Sequence, residues 1–157
     1  MSETATLQPW LDAMVDSADE LARTSMGLDL VNVVGNRDAS TLNTNGSYLA
    51  IIGDNQRFQL AVASTRAGCE TLAKALLGAA PDEDMADADV SDAMGEIINI
   101  IAGGVKLRMR DVDATIQLGL PMFIEGKVHT PRNREIGIVD IQIGDVPVHL
   151  IALREKK

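Results

Sequence analysis

Aromatic side chains are scarce in this chain: one Trp, one Tyr and two Phe, 3% of 157 residues. A core built without them must be packed from Ile, Leu, Val, Ala and Met. Cysteine is nearly absent too. Cys69 stands alone, which excludes an intramolecular disulfide, and its place in an apolar helical run marks it as a core thiol that packs like a small hydrophobe. Basic residues are in deficit, 14 against 23 acidic ones, giving a net charge of −9 and a pI near 4.6. Such a surface repels phosphate backbones and anionic lipid, so neither nucleic acid nor a membrane is an expected partner. No apolar stretch reaches the ~18 residues of a membrane span. The amino terminus, Met-Ser-Glu-Thr-Ala-Thr, lacks the basic-then-apolar order of a signal peptide, and the expected location is cytoplasmic. The two histidines, His129 and His149, lie far apart with no carboxylate or cysteine spacing around them, so they read as structural and no metal is expected in this chain. Residues 35–46 are rich in Gly, Asn, Asp, Ser and Thr but have no lysine and no P-loop spacing; they read as a surface loop.

What is present suffices for an ordinary globular unit. The apolar fraction of 46% and charged fraction of 24% are those of a soluble domain, taken here as a single one over residues 1–157. Apolar residues at helical spacing (Leu7, Leu11, Met14, Val15, Ala18, Leu21, Ala22) predict a helix over residues 7–26, with Pro9 in its first turn and Gly27 as its stop. Residues 28–34 read as a strand. Residues 47–52 and 57–63 read as two strands joined through Gly53-Asp54-Asn55-Gln56, a hairpin signal. Residues 65–77 are helical, ending at Gly78, and an acidic connection leads to a second helix near residues 87–106. Four strand-like runs follow, at 112–118, 122–129, 135–143 and 147–153, with Gly144-Asp145 as a tight turn. The order helix, three strands, two helices, four strands implies an α+β fold: a mainly antiparallel sheet with helices on one face.

Residues 91–106 carry the chemistry. Turning each residue by 100° sets Asp92, Glu96, Asn99, Gly103 and Lys106 in one stripe, while Met94, Ile97, Ile98, Ile101 and Val105 fall opposite and must be buried. A merely solubilising face would carry many long charged residues. This one offers a carboxylate and a carboxamide one turn apart, bordered by Gly95, Ala102 and Gly103, which leave room for another surface to lie flat on the helix. Each glycine costs a helix about 1 kcal/mol relative to alanine. Gly103-Gly104 can mark that close approach, a kink, or an early helix end. An echo lies upstream, where Asp16, Glu20 and Arg23 repeat the Asp-x-x-x-Glu-x-x spacing of Asp92, Glu96 and Asn99. It is either a trace of an internal pseudo-repeat or a coincidence of acidic residues at helical spacing.

The string Asp92-x-x-x-Glu96-x-x-Asn99, running into Ile-Ile-Ala-Gly-Gly, with Pro121 placed about twenty residues on, resembles the signature of the CheC/CheX chemotaxis phosphatases. CheC-type members carry two Glu-x-x-Asn helices; here Arg23 replaces the first amide, so the chain is similar to the CheX type. The resemblance implies a phosphatase acting on the aspartyl phosphate of a CheY-type receiver domain. Asn99 would orient the attacking water and Glu96 would pair with the receiver's lysine. Asp92 would hydrogen-bond nearby or hold the helix end, with Gly95, Gly103 and Lys106 completing the contact surface and Pro121 structural. The catalytic Mg²⁺ would belong to the receiver, no cofactor to this chain. A homodimer formed through sheet edges is also implied. The competing readings are a receiver-binding or flagellar-switch module without catalysis, and an oligomerisation unit whose small-residue helix packs on its own copy.

Overall fold

The computed structural model of the chain describes residues 3–32, 41–129 and 134–155. Helix α1 (Glu3–Leu21) continues through a wider π-helical turn, Ala22–Met26, and stops at Gly27, whose φ of +66° favours glycine. The helix begins about a turn earlier than the sequence suggests, so Pro9 lies inside it, where it lacks an N–H for the helical ladder. Strands β1 (Leu30–Asn32), β2 (Thr41–Ile52) and β3 (Arg57–Ser64) follow, then helices α2 (Arg66–Leu77) and α3 (Asp87–Arg108). The chain closes with β4 (Gln117–Leu118), β5 (Met122–His129), β6 (Arg134–Ile143) and β7 (Val146–Glu155).

The strands of the described residues join one antiparallel seven-stranded sheet, ordered β1-β6-β7-β3-β2, with β4 and β5 both paired to the outer side of β2. Exchanging the triplet β1, β2, β3 for β5, β6, β7 returns the same order read from the other edge. The helices obey the same exchange: α1 packs on β6 and β7, α3 on β2 and β3, and the two helices lie against each other. The echo seen in the sequence therefore coincides with a pseudo-two-fold layout of six strands and two helices, to which α2 and β4 stand as additions.

The helices cover one face, where Leu49, Ile51, Phe58, Leu60, Val62, Ile141, Ile143, Val148 and Leu150 meet Leu7, Met14, Leu72, Ile97, Ile98 and Ile101. The scarce aromatics concentrate here. Trp10, missed by the periodicity reading, is buried with its ring 4.7 Å from that of Phe58, and the Arg154 guanidinium lies over Phe58 at 5.6 Å. Cys69 is a core thiol, and burial pushes its pKa up to about 11.

Two strand boundaries differ from expectation. Residues 41–46, read as loop, are strand: β5 pairs along Thr41 to Tyr48 and supplies the ladder that their polar sequence does not advertise. Residues 33–40, the remainder of that expected strand and loop, lie outside the described residues. Conversely, only Gln117–Leu118 of the run 112–118 is strand. Asp113 interrupts it: its carboxylate accepts from the Thr115 hydroxyl (2.5 Å), the Thr115 N–H (2.9 Å) and the Asn55 N–H (3.3 Å). This ties the segment after α3 to the β2–β3 turn, where a side chain on Gly53 would strike the Asp113 carboxylate.

Candidate functional site

Helix α3 presents the site. Val90, Ala93, Met94, Ile97, Ile98, Ile101, Ala102 and Val105 are buried at i, i+3, i+4 spacing, which fixes the rotation of the helix and turns Asp92, Glu96 and Asn99 outward. Asp87 and Asp89 sit in its first turn, where the dipole favours them, and Arg66 at the start of α2 grips both oxygens of Asp87 at 3.0 Å. The helix runs unbroken through Gly103-Gly104 to Arg108, so the glycine pair does not mark its end. Their roles separate. A methyl on Gly104 would collide with Ser17 of α1, making this the close approach between the two helices, whereas a methyl on Gly103 would meet nothing within 4 Å.

Asp92, Gly95, Glu96 and Asn99 line one side of an open groove of about 510 Å³. Residues 118–121 and Phe123 form its other side. Among the described residues, none of Asp92, Glu96 and Asn99 commits its side chain to a hydrogen bond or ion pair within the chain. Gly95 keeps the groove wide: a side-chain carbon there would contact Pro121 at 3.4 Å. Pro121 was legible beforehand only as a structural residue; the wall it belongs to was not. Gly103 and Lys106 sit beyond the groove, lining a neighbouring depression of about 370 Å³ with Leu107, Arg110, Asp113 and Ala114. Ala102, expected at the border of the stripe, is buried in the core.

Two of the three echoing residues, Glu20 and Arg23, are in the opposite state, whereas Asp16 is exposed like Asp92. The Arg108 guanidinium donates to Glu20 (2.8 Å) and to the Ser17 hydroxyl (3.2 Å), and Arg23 pairs with Asp19 (3.2 Å). Glu20 thus helps fasten α1 to the end of α3, while its counterpart Glu96 is left open. His149 pairs with Asp140 across β6 and β7, Nδ1 to Oδ1 at 2.6 Å, away from the groove. The side chain of His129 lies outside the described residues. No helix among the described residues is long and apolar enough to cross a membrane.

A family model described as chemotaxis phosphatase CheX matches residues 47–142. The chain belongs to the CheX family. Its Glu96, Asn99 and Pro121 all fall inside the matched segment. Solved CheX structures share the fold. A chemotaxis protein CheX from Desulfovibrio desulfuricans superposes with a TM-score of 0.75 at 18% identity, covering 95% of this chain and 98% of that one. CheX from Vibrio vulnificus gives 0.71 at 19% identity, covering 92% and 95%. The CheX in a CheX–CheY–BeF₃–Mg²⁺ complex from Borrelia burgdorferi gives 0.69 at 16% identity, covering 96% and 97%. Comparison with curated proteins finds no match.

Proposed function

We propose that this chain hydrolyses the aspartyl phosphate of a CheY-type receiver domain, with α3 entering the partner's phosphorylation site. The observation that carries this reading is the pairing of an uncommitted carboxylate, Glu96, with an uncommitted carboxamide, Asn99, one turn apart in one groove. Hydrolysis of an acyl phosphate needs a water in line with the bond that breaks, and little else from the enzyme. A carboxamide is too weak a base to take the water's proton. It can hold that water, because it offers both a donor and an acceptor. As the water attacks phosphorus, the bond from phosphorus to the aspartyl oxygen breaks. The partner recovers a free carboxylate, and the water's oxygen leaves in inorganic phosphate, which keeps both of the water's protons or releases one to solvent. Glu96 sets the register by pairing with the receiver's lysine, and Asp92, one turn earlier, borders the contact.

In this reading, as the family resemblance implies, the chain brings no metal of its own to the reaction. We therefore place the Mg²⁺ on the receiver, where it would neutralise phosphoryl charge.

The test is the decay of a phosphorylated receiver from the same genome, in Mg²⁺ buffer, with and without this protein. Acceleration is expected, and Asn99→Ala should remove it by on the order of 100-fold or more, the usual loss for one preorganised polar group, while receiver binding persists. A receiver that binds the protein yet decays at its own rate would favour the non-catalytic module. Loss of self-association in Asn99→Ala, with no receiver bound by either protein, would favour the oligomerisation unit.

A further inference from the structure

The wall opposite Glu96 and Asn99 carries a side chain that nothing within the chain accounts for. Leu120 is 87% exposed, the most of any large apolar side chain among the described residues, with Leu107 next at 62%. A lone exposed leucine is common on protein surfaces, but the backbone on both sides of this one is tied to β2. Leu118 pairs with Ile51 and Met122 with Tyr48, both on β2. Between those anchor points β2 has Leu49 and Ala50, whereas the other side has Gly119, Leu120 and Pro121. That extra residue interrupts the ladder between β4 and β5 in the manner of a bulge, which bends the chain and re-aims a side chain. The Gly119 N–H donates to the Ala50 carbonyl at 2.7 Å, and Pro121 fixes its own φ. A strap tethered to β2 on both sides thus holds out an apolar side chain at the groove that contains Glu96 and Asn99.

We infer that Leu120 is the apolar anchor on which a phosphorylated receiver seats, filling an apolar depression beside the partner's acyl phosphate. This rests on the proposed function, since it takes the groove to be the docking site. The polar pair and the anchor face each other across the groove, so one partner surface engages both. An apolar contact there removes water around the Glu96–lysine pair and strengthens it. Leu120 is a positioning residue: it reaches no reacting atom, and its loss should be read in affinity rather than in the chemical step.

The experiment uses the full chain with receiver charged by beryllofluoride for binding, and with phosphorylated receiver for turnover. Leu120→Ser should weaken binding and raise KM by about 10- to 100-fold, the range for un-burying one leucine, with kcat retained. Leu120→Met should restore most of the affinity. Both variants should melt with the wild type, because the side chain is exposed. Unchanged affinity in Leu120→Ser would overturn the anchor whatever the turnover shows. Wild-type protein that binds the receiver through Leu120 without speeding its decay would leave the anchor standing and overturn only the phosphatase reading. Wild-type protein that binds no receiver would overturn both.

Discussion

At the scale of single residues, the fold separates carboxylates that hold the molecule together from those left open. Asp113 is of the first kind. The Thr115 hydroxyl, then the backbone N–H groups of Thr115 and Asn55, hold its carboxyl below the usual range, against the opposing effect of burial. A group with a lowered folded pKa contributes stability above its unfolded value, near 3.9, and loses it as pH falls through the folded one. Asp113→Ala should therefore lower the urea midpoint at pH 7. Its deficit relative to wild type should shrink in acid as the wild-type carboxyl takes up its proton. A deficit of constant size from pH 7 down to pH 2 would contradict that account. Glu96 is of the second kind. Glu96→Ala should leave the melting temperature unchanged and raise the receiver concentration needed for half-maximal decay, which a titration of phosphorylated receiver would check.

At the scale of elements, two adjacent glycines of α3 make opposite demands. Gly103→Ala places a methyl in open space and should gain up to about 1 kcal/mol of helix stability. Gly104→Ala drives a methyl into Ser17, whose hydroxyl is already engaged with Ala13 and Arg108, and should cost about 1–3 kcal/mol. Chemical denaturation of the two variants side by side decides it; shifts of the same sign would contradict the assignment. Nothing in the sequence distinguishes these glycines, because the difference lies in what α1 brings near. The same limit explains the other elements. Helix α3 was legible because its burial pattern is periodic, and both hairpins because Gly53-Asp54-Asn55-Gln56 and Gly144-Asp145 are strong turn signals. The first half of β2 was not, since Thr41-Leu-Asn-Thr-Asn45 owes its strand to a neighbour distant in sequence. Of the groove, the α3 side was readable from residue spacing. The strap at 119–121 was not, because its place depends on which residues of β2 it pairs beside.

At the scale of the molecule, the pseudo-two-fold layout sets two equivalent helices side by side and uses them differently. Glu20→Ala should leave receiver decay unchanged and loosen the α1–α3 junction only slightly, since an exposed ion pair contributes at most about 1 kcal/mol. Matched receiver-decay and melting measurements would show it. A loss of turnover comparable to that of Glu96→Ala would mean that α1 also takes part. The engagement of Glu20 by Arg108 has a kinetic consequence as well. With one copy of the pair open and the other tied down, each chain would, under the proposed function, have a single place to act. Initial decay should rise in simple proportion to protein and saturate along a plain hyperbola in receiver. The lifetime of the partner's signal would then follow the amount of this protein smoothly, as a graded setting rather than a threshold.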